Sequence, residues 1–224
     1  MNRVSSRTAF AAGAVLWMAA AQGAVVATGD AIFIDAPASV KTGGLTSDTN
    51  FYVFEESTLT LGSDLSVDWL ASDGGTLDSG NGGLITAGTR VTSYFVHFEP
   101  ATQASEVSGT LTFPQKILAV IFTAGNLADS DPVLGASGTE YPTGQTGRKY
   151  ESWDQEHSYL VSNTDDSLFI HTKTWFNPSQ HLMDQARVIT APVPVPAALW
   201  LFGSGVLAVL GFSRRKRREA ALAG

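Results

Sequence analysis

Residues 90–98 read RVTSYFVHF and residues 107–113 read VSGTLTF, and these two stretches carry the clearest structural pattern of the chain. In the first, Tyr94, Val96 and Phe98 alternate with Phe95 and His97. In the second, the odd-numbered residues are apolar or glycine and the even-numbered residues carry hydroxyl groups. Because successive side chains of a strand point to opposite faces of a sheet, both stretches are predicted strands with one buried face.

A third stretch, ILAVIF at residues 117–122, is apolar throughout and predicts an interior strand covered on both faces. Seven more segments have strand-like composition, at residues 31–35, 51–55, 58–61, 65–69, 159–161, 168–176 and 186–190. Connectors rich in Gly, Asp, Ser and Thr separate the segments. No stretch between the two ends of the chain shows sustained helical periodicity. We therefore expect an all-β fold, an antiparallel and jelly-roll-like β-sandwich.

The N-terminus has the layout of a signal peptide. Residues 1–7 are basic, and residues 8–21 are apolar and rich in small side chains. Cleavage after Ala21 or after Gly23 satisfies the small-residue rule. The alternative is an uncleaved anchor, but an apolar run of about 14 residues is short for a membrane span. We expect residues 1–23 to be removed on export.

The C-terminus has the layout of a membrane anchor. Residues 197–212, AALWLFGSGVLAVLGF, carry no charge. As a helix they reach about 24 Å, and the preceding residues extend them towards the ~30 Å hydrocarbon layer. A basic cluster follows, made of Arg214, Arg215, Lys216, Arg217 and Arg218. Because such clusters resist translocation, we expect residues 219–224 in the cytoplasm and the preceding domain outside it.

This tail resembles the PEP-CTERM sorting signal of exported proteins from Gram-negative bacteria that make extracellular polysaccharide. We assign the signal to residues 191–218, with the motif at Val193, Pro194, Val195, Pro196 and Ala197. The motif is similar to the Val-Pro-Leu-Pro-Ala variant, since Val195 stands where the family name has Glu. The resemblance implies a partner, an exosortase, a membrane-embedded transpeptidase-like enzyme that recognises the motif and removes the helix and tail.

The segment between the two ends is acidic. Residues 24–192 contain twenty acidic and seven basic residues, a net charge near −13. Such a surface repels phosphate backbones, so nucleic acid is not expected as a partner. The chain has no cysteine, which excludes thiol catalysis, Cys-ligated zinc and lipid attachment through Cys. About 170 residues suffice for one core, so we expect a single domain at residues 24–190.

One loop offers the donors that Ca²⁺ prefers. Residues 72–83 are rich in Gly, Ser and Asp, and they include Asp73, Asp78 and Asn81. The spacing is not that of an EF-hand, and one glycine-rich stretch is not a repeat array. We favour a long hairpin loop, with calcium as the alternative, and expect no other cofactor. Residues 129–132, DSDP, are likewise interpreted as a turn.

The histidines His97, His157, His171 and His181 lack the spacing of a zinc site. We expect the two that lie on predicted strands, His97 and His171, to face solvent. No motif of a catalytic Ser, a phosphate loop or a dinucleotide site is present, so no catalytic residue is predicted.

Large aromatic residues offer two weaker alternatives. A sugar-stacking surface would use Trp69, Trp153, Trp175, Tyr150 and Tyr159, although large aromatics of a β domain are more often core. A glycan-active enzyme would use carboxylates beside Trp153, but only if two lie about 5–10 Å apart in a cleft. The carboxylates are Glu151, Asp154 and Glu156.

The ends and the absence of a catalytic motif together predict a non-enzymatic cell-surface or matrix protein. Its precursor is expected to be anchored in the inner membrane with the domain outside the cytoplasm. After processing by an exosortase, it is expected at the cell surface or in the extracellular matrix, in association with the exopolysaccharide of a biofilm. The alternatives are a carbohydrate- or calcium-binding module and a glycan-active enzyme.

Overall fold

The computed structural model describes residues 24–71, 77, 82–103, 105–144, 146–148, 150, 159–174 and 182–192. These residues belong to one compact unit, Gly23–Pro194. The predicted signal peptide at residues 1–23 and the predicted span at residues 197–212 lie outside the described residues. Of the helical segments that are described, none combines the length and the apolar character needed to cross a membrane.

Twelve strands and one α-helix are formed by the described residues. The strands are β1 (Val26–Gly29), β2 (Ala31–Phe33), β3 (Phe51–Thr60), β4 (Leu65–Val67), β5 (Trp69–Leu70), β6 (Gly83–Ile85), β7 (Arg90–Phe98), β8 (Ser105–Thr112), β9 (Ile117–Ile121), β10 (Tyr159–Thr164), β11 (Ser167–Thr174) and β12 (Asp184–Thr190). The helix, α1, spans Ala124–Leu134 between β9 and β10. The prediction of a mostly β chain is confirmed, but the helix and the strands β1 and β6 were not predicted.

The strands form two large sheets and one small one. The four-stranded sheet has the order β1-β8-β11-β10, and the six-stranded sheet has the order β2-β3-β7-β12-β9-β5. β4 and β6 form a separate two-stranded sheet. All pairs are antiparallel except β2 with β3.

The two large sheets share a core, which fits the predicted sandwich. Leu111 and Ile170 of the four-stranded sheet pack in one apolar cluster with Val96 and Val188 of the six-stranded sheet. We call this cluster the sandwich core. The alternation predicted for β7 and β8 is confirmed, because the apolar residues expected on one face of each strand all belong to the sandwich core. These residues are Tyr94, Val96, Phe98, Val107, Leu111 and Phe113.

The opposite face of the six-stranded sheet is also covered. Phe95 and Ile189 pack there against Leu127 and Leu134 of α1, in a second apolar cluster to which β4 and β6 also contribute. We call this side of the sheet the helix side. The prediction that β9 is covered on both faces is confirmed, because Ile117 and Val120 belong to the sandwich core and Ala119 and Ile121 belong to the cluster on the helix side.

The helix α1 replaces the turn expected at residues 129–132, so that prediction was wrong. Four of its residues are buried, Leu127, Ser130, Asp131 and Leu134. This spacing is helical, but two of the four side chains are polar, so the apolar pattern alone does not show a helix. Pro132 also lies inside the helix, in its last turn.

Asp68 holds the chain where it enters α1. Thr123, the N-cap residue, makes no side-chain capping bond. Instead, Asp68 Oδ2 accepts the backbone N–H groups of Phe122 and Thr123 at 2.6 and 2.8 Å, and Oδ1 accepts Asn126 Nδ2 at 2.6 Å. A carboxylate at this end of a helix also interacts favourably with the helix dipole.

A β-bulge joins two segments that were predicted as separate strands. The predicted strands at residues 51–55 and 58–61 fall on the single strand β3, which ends at Thr60 and whose register shifts between Glu55 and Ser57. Glu56 is the extra residue at this bulge, and its carboxylate bonds to groups on the helix side of the sheet. The irregularity thus places a carboxylate beneath α1.

Candidate functional site

Arg187 is the centre of a buried polar network on the helix side of the six-stranded sheet. Its Nε and Nη2 donate to the two oxygens of Glu56 at 2.6 and 2.7 Å, and Nη2 also donates to Asp131 Oδ1 at 3.1 Å. Nη1 donates to the Ser130 hydroxyl, and the guanidinium lies 5.1 Å from the ring centroid of Phe95. Burial opposes the charge, but the two carboxylates outweigh it and raise the pKa of Arg187.

Arg148 extends this network from the 3₁₀ turn at Thr146–Arg148. Its Nη1 and Nη2 donate to the two oxygens of Asp131 at 2.6 and 3.2 Å, and its Nε donates to Gln185 Oε1 at 2.8 Å. Bidentate pairing of this kind is the strong form of the arginine–carboxylate interaction. Two buried guanidinium groups therefore face two carboxylates, Glu56 and Asp131, and the opposite charges balance.

Two hydroxyl groups complete the bonding of Glu56. Tyr141 donates to Glu56 Oε1 at 2.7 Å, and Ser93 donates to Oε2 at 2.5 Å. Burial and then Glu56 raise the pKa of Tyr141, so the phenol keeps its proton. The network joins β3, β7 and β12 to α1, and both arginines are fully buried. Its chemistry therefore fastens the helix to the sheet and offers no group to a substrate in solvent.

Sequence reasoning missed this network. The available signal was Arg187, a cation between Ala186 and Val188 in a segment predicted as a strand. A charge in such a place needs a buried partner. The sequence does not indicate which carboxylates serve, because Glu56 is 131 residues away.

His97 is buried, so the expectation of a solvent-facing ring was wrong. Its Nε2 lies 2.8 Å from the carbonyl oxygen of Leu45, and its Nδ1 lies 2.9 Å from Gln185 Nε2. Burial, together with the charge of Arg148, lowers the pKa of His97 to about 4, although the bond to Leu45 acts in the opposite direction. The ring is therefore neutral at pH 7 and bridges the sheet to the loop before β3.

His171 lies on the outer face of the four-stranded sheet, and its side chain is only 13% exposed. Its Nε2 lies 2.8 Å from Glu106 Oε1, and Lys173 Nζ lies 3.6 Å from the other oxygen of Glu106. The Glu106 carboxylate is thus shared by His171 and Lys173 of the neighbouring strand. The pKa of Glu106 is lowered, and the largest cause is the hydrogen bond with His171.

Two of the five aromatics proposed for a sugar-stacking surface have described side chains, and neither of them lies on a surface. Trp69 and Tyr150 are 4% and 3% exposed and belong to the sandwich core, as the interpretation of large aromatics as core predicted. Burial, with a smaller contribution from Asp184, raises the pKa of Tyr150 well above its usual value. Trp153, Trp175 and the side chain of Tyr159 lie outside the described residues.

Several other predicted site residues also lie outside the described residues. They are Ala21 and Gly23 of the cleavage region; Asp73, Asp78 and Asn81 of the acidic loop; Glu151, Asp154 and Glu156; His157 and His181; the motif residues Val193, Pro194, Val195, Pro196 and Ala197; and the basic cluster Arg214, Arg215, Lys216, Arg217 and Arg218. In the part of the chain that is described, no three His, Asp or Glu side chains lie close enough together to hold a metal ion.

Strand β12, which precedes the predicted sorting motif, is paired on both sides up to its last residue. Thr190, the last residue of β12, lies opposite Thr92 of β7 and Ile117 of β9. The backbone N–H of Ala191 then donates to the carbonyl oxygen of Lys116 at 2.9 Å. Regular pairing ends within two residues of Val193, where the predicted motif begins.

A groove of about 650 Å³ opens beside this exit. It is lined by residues 114–116 between β8 and β9, residues 164–166 between β10 and β11, and residues 191–192. Lys116 and Asp165 form an exposed ion pair at the groove, and this hydrogen bond raises the pKa of Lys116. Gln115 is 8% exposed, and neither polar atom of its side-chain amide has a hydrogen-bond partner.

These features define a β-rich domain, and the last strand among the described residues ends just before the segment predicted to be a sorting signal. Residues 192–218 match the family model of the PEP-CTERM protein-sorting motif. The predicted resemblance is therefore confirmed for this segment, which covers 27 of the 224 residues. The motif supports an exported protein that an exosortase processes at a membrane. Comparison with curated proteins finds no match, and neither does comparison with solved structures.

Proposed function

We propose that the protein is a non-enzymatic cell-surface or extracellular-matrix protein that associates with exopolysaccharide in a biofilm. In this proposal the precursor is anchored in the inner membrane by residues 197–212, and an exosortase releases the domain from that anchor. The observation that carries the proposal is the sorting motif at residues 192–218, which begins two residues after the last strand.

The geometry of the exit supports processing of a folded domain. Because β12 is paired on both sides as far as Thr190, the domain needs no residue beyond Pro192 to complete its sheet. Four residues, about 12 Å in a polyproline conformation, separate Pro192 from the start of the predicted span. In this proposal the motif is the short connection between the domain and the predicted span, where a membrane-embedded enzyme acts.

The test is the mass of the mature protein from the native host. Replacing Pro194 and Pro196 by Ala should leave the helix and tail attached, because the motif loses its two rigid positions. Pro37→Ala, in a loop of the domain, is the matched control and should be processed normally. An unchanged mature mass in the P194A/P196A variant refutes sorting by this motif.

A carbohydrate-binding module is the second candidate, and the outer face of the four-stranded sheet favours it. Thr110 and Phe169 lie opposite each other on β8 and β11, and both are partly exposed. Ser108 and Thr112 flank Thr110 on the same face. An aromatic ring can stack on a pyranose, and the hydroxyl groups around it can form hydrogen bonds with the sugar.

Calorimetry of the processed protein with the exopolysaccharide of its host tests this candidate. Phe169→Ala should weaken binding about tenfold, the effect of losing one aromatic contact of ~1.4 kcal/mol. Phe33→Ala removes a 42% exposed ring from β2 of the other sheet and should not change the affinity. Absence of heat with the polysaccharide argues against the candidate, and a parallel titration with Ca²⁺ tests the calcium alternative.

A further inference from the structure

The loop between β2 and β3 packs on the helix side of the six-stranded sheet. We call residues 35–50 of this loop the strap. Val40 of the strap is fully buried in the apolar cluster of that side, and Leu45 packs against the cluster. Apart from one bridge between Ser39 and Glu140, the strap has no strand or helix structure. Its attachment therefore depends on individual hydrogen bonds and on the burial of Val40.

Two titratable side chains at the C-terminal end of β7 hold the strap. The backbone N–H of Gly43 donates to both oxygens of Glu99, at 2.9 Å each. His97 Nε2 lies 2.8 Å from the carbonyl oxygen of Leu45. Both side chains are buried. The strap is thus bonded to groups whose donors and acceptors change when they gain a proton.

The hydrogen bonds around His97 leave no place for a second proton. A carbonyl oxygen only accepts, so Nε2 carries the ring proton and donates to Leu45. Nδ1 is then the acceptor, and Gln185 Nε2 donates to it at 2.9 Å. The Gln185 amide cannot turn over, because its Oε1 accepts Arg148 Nε and its Nε2 also donates to the carbonyl of Val40 at 3.0 Å. A protonated Nδ1 therefore meets a donor, and Gln185 can move away only by leaving Val40 of the strap.

The charges around the ring do not offset its burial. Glu99 Oε2 lies 4.0 Å from Nε2 and favours a charged ring, whereas the charge of Arg148 disfavours it. Burial is the largest effect and lowers the pKa of His97 to about 4. The titratable groups on the elements around the ring are Glu99, Arg148, Tyr52 of β3, Asp131 of α1, and Lys41 and Asp48 of the strap. Asp131, Lys41 and Asp48 are each bonded to another group.

We propose that the strap is released when His97 takes up a second proton from solvent, while the two large sheets and α1 stay folded. Release hydrates the charged ring and lets the Glu99 carboxylate pair with it in place of Gly43. It also uncovers Gln185 and the position that Val40 fills on the helix side. The strap is thus an acid-sensitive cover of this end of the sheet. This device is a property of the folded domain and goes beyond the proposed function.

Hydrogen exchange of the full chain, purified in mild detergent and read by mass spectrometry of peptides, tests the proposal. Protection factors are compared because they correct for the intrinsic exchange rate at each pH. In the strap they should fall about twentyfold from pH 7 to pH 5, since the pKa of His97 is about 4 when the strap is closed and 6.5 when the ring is hydrated. Residues 184–190 of β12 should stay more strongly protected than the strap at both pH values. Low urea should leave strap protection nearly unchanged, because local opening exposes little surface.

Three variants assign the effect to the ring and its partner. His97→Gln cannot be charged in this range, and Gln185→Glu turns the donor at Nδ1 into an acceptor. Each should reduce the change in strap protection to less than about threefold. His171→Gln, on the other sheet, should keep the twentyfold change. A native strap that is equally protected at pH 7 and pH 5 overturns the proposal, and so does a twentyfold change that persists in both His97→Gln and Gln185→Glu.

The remaining outcome concerns how much of the domain opens. If the strap and β12 exchange with the same protection and the same urea dependence at pH 5, the strap opens only when the whole domain unfolds. That result also overturns the proposal.

Discussion

Strand β12 of the six-stranded sheet is buried on both faces, but the chemistry of the two faces differs. On one face, Ala186 and Val188 of β12 enter the sandwich core, which consists of apolar side chains. On the other, Gln185 and Arg187 of the same strand enter a hydrogen-bonded charge network under α1. The first face is stabilised mainly by the hydrophobic effect, which has no direction. The second face has its own apolar cluster and adds a network that depends on particular partners at particular distances.

The comparison teaches that these faces should respond differently to substitution. An apolar core loses free energy in proportion to the volume removed. A paired network responds more sharply, since removal of one partner leaves another buried and uncompensated. The following expectations use the free energy of unfolding in urea as the common measurement.

The largest effect is expected for Arg187→Met. The substitution keeps an unbranched side chain but leaves the carboxylates of Glu56 and Asp131 without their shared cation, which should cost about 3–5 kcal/mol. Adding Glu56→Gln should recover part of this loss, because Glu56 is then the carboxylate without a cation, whereas Asp131 keeps Arg148. A loss below that of an ordinary core truncation would show that the network does not hold the helix.

On the apolar face, Leu111→Ala should cost about 3 kcal/mol through lost burial and a cavity. Leu111 is fully buried between the sheets. The matched control is Leu84→Ala, a 55% exposed leucine of β6, which should be nearly neutral. No second-site polar substitution is expected to rescue Leu111→Ala, in contrast to the charged face.

The charged face should also respond to pH through His97. Its pKa is about 4 in the folded protein and 6.5 in the unfolded chain, so the unfolded state binds more protons between these values. The contribution of His97 to the free energy of unfolding should therefore be fully present above pH 6.5. It should be lost on acidification, by about 2 kcal/mol between pH 7 and pH 5. Urea titrations at both pH values measure the difference.

The matching variants for this prediction are His97→Gln and His171→Gln. The first removes the buried ring and should reduce the pH dependence in this range. The second removes the histidine beside Glu106 on the other sheet and should leave most of the pH dependence unchanged. An identical pH dependence in His97→Gln and the native protein would contradict the assignment to His97.

The smallest of these effects is expected at the helix start. Asp68→Asn keeps the shape of the side chain but removes its charge, and should cost about 1 kcal/mol. Asp64→Asn is the control, because Asp64 accepts one backbone N–H, that of Ala87, in an exposed turn. Equal losses in the two variants would mean that the helix does not depend on Asp68.

Much of the sheet could be predicted from local pattern. β7 has the predicted bounds, and the faces of β7 and β8 follow directly from alternation. These predictions succeed because the side-chain period of a strand is a property of the backbone. The bulge at Glu56 could not be predicted in this way, since it depends on what lies under the strand and not on the strand itself.

The helix α1 and the environment of His97 show where local pattern is insufficient. Ser130 and Asp131 look like turn residues, and they occupy buried helical positions only because Arg187 and Arg148 bind them. His97 looks like a polar residue on an exposed face, and it is buried because the helix side of the sheet has its own covering layer. In both cases the deciding partner is remote in sequence.

The amino-acid sequence by itself determined the β-rich character of the domain and the sorting signal, because strand alternation and a tripartite motif are properties of neighbouring residues. Only the tertiary structure decided which charges are buried together and where the chain leaves the domain. Glu56 and Arg187 are 131 residues apart, and residues 114–116 and 164–166 meet residues 191–192 only through folding. Contacts of this kind arise from the packing of sheets and helix, and no local pattern encodes them.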